Sequence, residues 1–128
     1  QAGFGTARPA RTRGAERDGV TPGTEEKLNA VIAYIGQNYR DELSREGLAA
    51  MVGMSPNHLG KYFAIVTGRK IGDYVNELRV RDAAAMLDGT SENIIDIAFA
   101  VGFESLRTFN RAFLKVMNVT PTEYRERT

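Results

Sequence analysis

Two short stretches of this sequence gather side chains able to hydrogen-bond to base edges and phosphates. The first holds Ser55, Asn57, His58, Gly60 and Lys61. The second holds Ser105, Leu106, Arg107, Thr108, Asn110 and Arg111. An arginine guanidinium donates two parallel hydrogen bonds to a guanine edge. An asparagine amide pairs with adenine, and lysine meets phosphate or guanine. This chemistry requires the polar side chains to stand on the exposed first turns of a helix whose other face is anchored in a core. Both stretches carry such anchors at helical spacing, Leu59 with Phe63 and Phe109 with Phe113.

The elements that must position these residues also occur twice. Leu48-Ala49-Ala50-Met51-Val52-Gly53-Met54 precedes the first stretch, and Ile97-Ala98-Phe99-Ala100-Val101-Gly102-Phe103 precedes the second, about 50 residues further on. Each reads as a short helix, a glycine turn and a second helix, the helix-turn-helix unit. Two such units joined by a long helical segment are able to address successive major grooves of duplex DNA.

Punctuation along the chain predicts seven helices and no strands. Thr24 caps helix 1, with Leu28, Val31, Ile32 and Ile35 inward. Ser44 caps helix 2, and Gly53 ends it. Ser55-Pro56 opens helix 3, closed by Gly68. Ile71, Val75, Leu78, Ala83, Met86 and Leu87 mark a long helix 4. Asn93 with Asp96 resembles a capping box at helix 5, Ser105 opens helix 6, and Thr120-Pro121-Thr122-Glu123 opens helix 7. The expected organisation is a flexible linker or tail over 1–23 and a DNA-binding domain over 24–128. Within it lie a first helix-turn-helix subdomain (24–68), a connecting helix (71–88) and a second subdomain (90–128). The tail is expected to be solvated, with only Phe4 and Val20 as sizeable apolar residues.

Composition narrows the function classes. A chain of 128 residues fits one domain-sized unit. No apolar run reaches the roughly 18 residues of a membrane span, and no signal peptide is visible, so a cytoplasmic location without membrane contact is expected. Absence of cysteine excludes disulfides and thiolate zinc sites. No metal or other cofactor and no enzymatic activity are expected, because no catalytic constellation can be assembled. The net charge is +1; four arginines against Glu16 and Asp18 give residues 1–23 a net +2, which leaves −1 for 24–128. DNA binding therefore depends on segregation of charge. Acids cluster around helix 1 and its exit (Glu25, Glu26, Asp41, Glu42, Glu46). Lys61, Arg69, Lys70, Arg79, Arg81, Arg107, Arg111 and Lys115 lie near the reading helices and the connector. Arg79, amid apolar neighbours, is expected to pair with Asp82, Asp96 or another acid.

The chain closely resembles the DNA-binding domain of AraC/XylS transcription regulators. Matching stretches are Leu48-Ala49, Gly53-Met54-Ser55-Pro56, Thr67-Gly68, Tyr74-Val75 and Leu78-Arg79-Val80. The more specific half is Ile94 through Ser105, then Phe109-Asn110-Arg111-Ala112-Phe113 and Thr120-Pro121 with Tyr124-Arg125. The resemblance implies an all-α, homeodomain-like fold with two subdomains bridged by helix 4. It also implies a promoter read through two adjacent major-groove segments, activation through contact with RNA polymerase, and an effector or signalling domain upstream. The start on Gln1 rather than Met agrees with that last expectation. By resemblance, base and phosphate contacts fall on Asn57, Gly60 and Lys61, and on Leu106, Arg107, Thr108, Asn110 and Arg111. Gly60 departs from the family, which often has a long polar side chain there, so helix 3 is expected to read fewer bases. Asn118 stands where glycine is commoner.

A second class stays open on the −1 charge of residues 24–128: a helical protein-interaction module that binds no DNA. Salt separates the two. Binding through roughly six or more phosphates should fall by orders of magnitude between about 50 and 200 mM salt. A hydrophobic groove would barely respond. Fluorescence anisotropy on a labelled duplex measures the difference, and a flat salt response would favour the interaction module.

Overall fold

The computed structural model describes residues 19–127, and these are helical with no strand among them. In chain order the helices are α1 (Pro22–Asn38), α2 (Arg45–Val52), α3 (Pro56–Thr67), α4 (Ile71–Gly89), α5 (Ile94–Ala100), α6 (Leu106–Met117) and α7 (Pro121–Glu126). They fall into two compact units. One comprises residues 19–37 with Leu43–Ile71, and the other Asn38–Glu42 with residues 72–127.

In the first unit, α1 begins earlier than the sequence predicts. Thr21, not Thr24, is the cap: its Oγ1 accepts from the Thr24 amide at 3.1 Å, and its carbonyl accepts from the Glu25 amide at 2.9 Å. Pro22 then occupies the first helical position, where a missing N–H costs nothing. Val20, assigned by sequence to a solvated tail, is 1% exposed and joins the core. A lone apolar residue beside glycines reads as linker; burial here comes from the folded helices around it. The tail expected over residues 1–18 lies outside the described residues. Further buried residues of this unit are Leu28, Val31, Ile32, Ile35, Leu59, Phe63 and Val66, as the helical periodicities predict, together with Leu48 and Ala49 of α2.

The second unit has one continuous core. Val80, Ala83, Ala84 and Leu87 of α4 pack with Ile97 and Ala98 of α5, with Val101 and Phe103 of the turn, and with Phe109, Ala112 and Phe113 of α6. The aromatic rings form a chain: Phe103 to Phe109 at 5.3 Å, Phe109 to Phe113 at 5.6 Å, and Phe113 to Tyr124 at 5.6 Å between centroids. Edge-on and tilted contacts of this kind suit the ring quadrupoles. α7 is held by a reciprocal capping box between Thr120 and Glu123. Arg125 adds three bonds to the end of α4 and the chain that follows it, donating to the carbonyls of Leu87 (3.4 Å), Thr90 (3.1 Å) and Glu92 (2.5 Å). Among the described residues no helix is long and apolar enough to cross a membrane.

The burial of Val20 makes a prediction. Val20→Ala should destabilise the protein by about 1–2 kcal/mol, the worth of two buried methyl groups. Urea denaturation reads this directly; an unchanged midpoint would return Val20 to the tail.

Candidate nucleic-acid interface

The repeat seen in the sequence is a repeat of one hydrogen-bonded turn. In the first unit the Gly53 amide donates to the Ala50 carbonyl at 3.3 Å, and the Met54 amide donates to Ala49 at 2.9 Å. In the second unit the Gly102 amide donates to Phe99 at 3.1 Å, and the Phe103 amide donates to Ala98 at 3.1 Å. This pair of bonds is the Schellman ending of a helix, and it requires a left-handed residue at the turn. Both glycines comply, with φ of 72° and 114°. The chain then extends for one cap residue in the first unit, and for Glu104 plus one cap residue in the second, before the next helix begins.

Both second helices are capped by serine. Ser55 Oγ accepts from the His58 amide at 3.1 Å, and Ser105 Oγ accepts from the Thr108 amide at 3.1 Å. Ser105 also donates its hydroxyl to Thr108 Oγ1 at 3.0 Å. Both α3 and α6 end on left-handed residues, Gly68 and Asn118. Asparagine serves where glycine is commoner because its short polar side chain tolerates that conformation.

The inner faces are fully anchored: Leu59 and Phe63 on α3, Phe109 and Phe113 on α6, all at 0% exposure. The outer faces carry the predicted polar residues. Asn57, His58 and Lys61 are exposed on α3, and Arg107, Thr108, Asn110 and Arg111 are exposed on α6. The His58 ring stands 6.0 Å from that of Tyr62, and Lys61 Nζ lies 5.2 Å from the same ring. Arg107 and Arg111 form no ion pair or hydrogen bond with another described residue, so their donors face solvent. Three predicted residues, Gly60, Ser105 and Leu106, are half-buried. Leu106 packs against the core of the second unit, so it anchors the first turn of α6 and is not displayed as expected. No group of His, Asp or Glu among the described residues is arranged to hold a metal ion.

The turn before α6 is braced from behind by a cluster that sequence reasoning misassigned. Arg79, expected to pair with an acid, donates from Nε to the Tyr39 carbonyl at 2.6 Å and from Nη2 to the Asp41 carbonyl at 2.9 Å. Its guanidinium lies 5.8 Å from the Phe103 ring centroid. Burial lowers its pKa from the usual arginine value, against the opposing pull of Glu104. Asp82 is unavailable to it because Arg40 already holds that carboxylate with two bonds, 2.7 and 2.9 Å, and the Tyr39 hydroxyl donates a third at 2.9 Å. The Arg40 hydrogen bond is the main reason the Asp82 carboxyl sits below its usual pKa; partial burial opposes it. Burial, then Asp82, raises the Tyr39 phenol. A long-range fork onto backbone carbonyls leaves no sequence signal, since any residue supplies a carbonyl.

A glycine-hinged helix pair whose second helix is anchored inside and polar outside defines a helix-turn-helix domain. A family model described as a helix-turn-helix domain matches residues 48–127. The regulatory protein SoxS of Escherichia coli is 35% identical over 100 residues, which cover 78% of this chain and 94% of SoxS. An HTH-type transcriptional regulator of Staphylococcus aureus is 37% identical over 101 residues, 79% of this chain; the match spans only 14% of that relative's length. The structure of an AraC-type DNA-binding-domain regulator from Chromobacterium violaceum matches with a TM-score of 0.70 at 32% identity, covering 80% of this chain and 92% of that one. The chain belongs to the AraC/XylS family, as the DNA-binding domain of a transcription regulator.

The two turn glycines differ in what surrounds them. A Cβ on Gly53 meets open space, whereas one on Gly102 would stand 2.7 Å from Arg79 Nε, 2.9 Å from the Tyr39 carbonyl oxygen and 3.0 Å from that of Arg40. Gly53→Ala should therefore cost about 1 kcal/mol, the left-handed penalty alone. Gly102→Ala should cost roughly 2–4 kcal/mol, because backbone must also move. Chemical denaturation of the two variants tests this; equal losses would deny the brace.

Proposed function

We propose that this domain recognises a specific duplex promoter sequence by inserting α3 and α6 into major grooves. The observation that carries the reading is the pairing, in each unit, of a buried apolar face with an exposed face that keeps unspent donors, those of Asn57 on α3 and of Arg107, Asn110 and Arg111 on α6. On α6, Arg107 and Arg111 read guanine edges, and Asn110 an adenine edge. Asn57 serves similarly on α3. Lys61, His58 and Thr108 meet phosphate and set the register. Ser55 and Ser105 act beside them at helix N-termini, where amide donors favour an anionic oxygen. Gly60 and Leu106, both half-buried, act by shaping the surface of α3 and anchoring the first turn of α6.

Beyond the domain, the full regulator acts in the cytoplasm as an activator that contacts RNA polymerase, with an effector or signalling domain upstream. The match spans 14% of the Staphylococcus relative, which leaves room for such a domain there, and 94% of SoxS, which does not. Two reading helices on one chain make binding as a monomer sufficient.

Selection from a pool of duplexes with randomised centres tests the reading. A defined consensus is expected. Against that consensus, Arg111→Ala should lose roughly 1–3 kcal/mol of binding free energy, with far less change on a scrambled duplex. Equal losses on both would make Arg111 a phosphate contact, and the absence of any consensus would overturn sequence-specific recognition.

A further inference from the structure

Gly60 lacks a side chain, yet its place on α3 is not empty. A Cβ built there would lie 2.8 Å from Nη1, 3.6 Å from Cδ and 3.9 Å from Cζ of Arg45. Arg45 is the first residue of α2, and its side chain reaches across the glycine onto the outer surface of α3. Helical spacing puts Gly60 three residues after Asn57 and next to Lys61, so the guanidinium joins the surface that those exposed side chains form.

Two further facts make this arrangement informative. Arg45 forms no ion pair, hydrogen bond or ring contact with another described residue, so its stem crosses the glycine while its donors stay open to solvent. Its position is also electrostatically unfavourable: the first turn of a helix is the positive end of the dipole, where acids are preferred. A cation kept at that end, lying over a glycine of α3, is explained poorly by stability and well by a polyanionic ligand.

We propose that Arg45 is a base-reading residue of the first unit, delivering from α2 the guanidinium that α3 cannot supply at Gly60. This rests on the DNA-reading role proposed above. The planar fork fits a guanine edge in two bonds, and the glycine allows it close approach to the groove floor. Helix 3 then reads with Asn57, Lys61 and a borrowed arginine, instead of reading fewer bases.

The test begins with the native 128-residue chain and a pool of randomised duplexes, which yields a consensus. Arg45→Ala should weaken binding to that consensus duplex about tenfold or more and flatten the preference at one base pair, while changing binding to a scrambled duplex little. Gly60→Ala, whose methyl displaces the guanidinium, should lose preference at the same base pair with Arg45 still present. Thermal melts should show both variants folded, with midpoints at or above that of the native chain, since Arg45 is an exposed cation at the positive end of α2 and alanine suits a helix interior better than glycine. A preference that survives Arg45→Ala, or an equal loss on consensus and scrambled duplexes, overturns the assignment of Arg45 alone. No consensus with the native chain overturns the DNA reading and Arg45 together.

Discussion

The structure depends on a positive φ angle at two points in the chain. Gly53 and Gly102 each end a short helix in the left-handed region, and their amides, with those of Met54 and Phe103, close on carbonyls one turn back. That geometry sets the direction in which the next helix leaves. Without it, Leu59 with Phe63, or Phe109 with Phe113, would not return to the core, and the polar faces of α3 and α6 would have no fixed aim. The serine caps act at the following step, satisfying amides that the helix itself leaves open. The reading chemistry is thus supported by backbone geometry that carries none of the chemistry itself.

The division of labour among cations explains how a domain with almost no net charge belongs to a DNA-binding family. Arg79 spends its donors on two carbonyls, and Arg125 on three. Arg40 holds Asp82, Arg81 holds Glu77, and Arg127 holds Asp88. These arginines are structural, and the acids they meet are cancelled locally. Arg107 and Arg111 have no such partner among the described residues, and Lys61 has only a ring beside it. Net charge adds both populations together, whereas a ligand meets only the second. The −1 of residues 24–128 was therefore weak support for a protein-interaction module.

The two units share a turn but differ in surface chemistry. α6 displays two arginines and an asparagine of its own. α3 displays Asn57, His58 and Lys61, with a glycine in their midst and an arginine from α2 lying over it. The two units also differ in support: Gly102 sits against Arg79 and two carbonyls, while Gly53 faces open space, so the second turn is the more rigidly determined.

What the sequence determined by itself was local. Ser44, Ser55, Ser105 and Thr120 each cap the helix they were expected to cap, Pro56 and Pro121 take first helical positions, and apolar spacing marks the buried stripes of α1, α3 and α6. Such signals act within a few residues, so a single chain displays them. Only the tertiary structure decided the contacts between distant residues. It buried Val20, turned Arg79 to carbonyls some 40 residues away, packed Leu106 half-buried against the core and laid Arg45 over Gly60. The reason is physical: a carbonyl or a missing Cβ carries no residue-type signature, and a partner across the fold exists only once the backbone has brought it there.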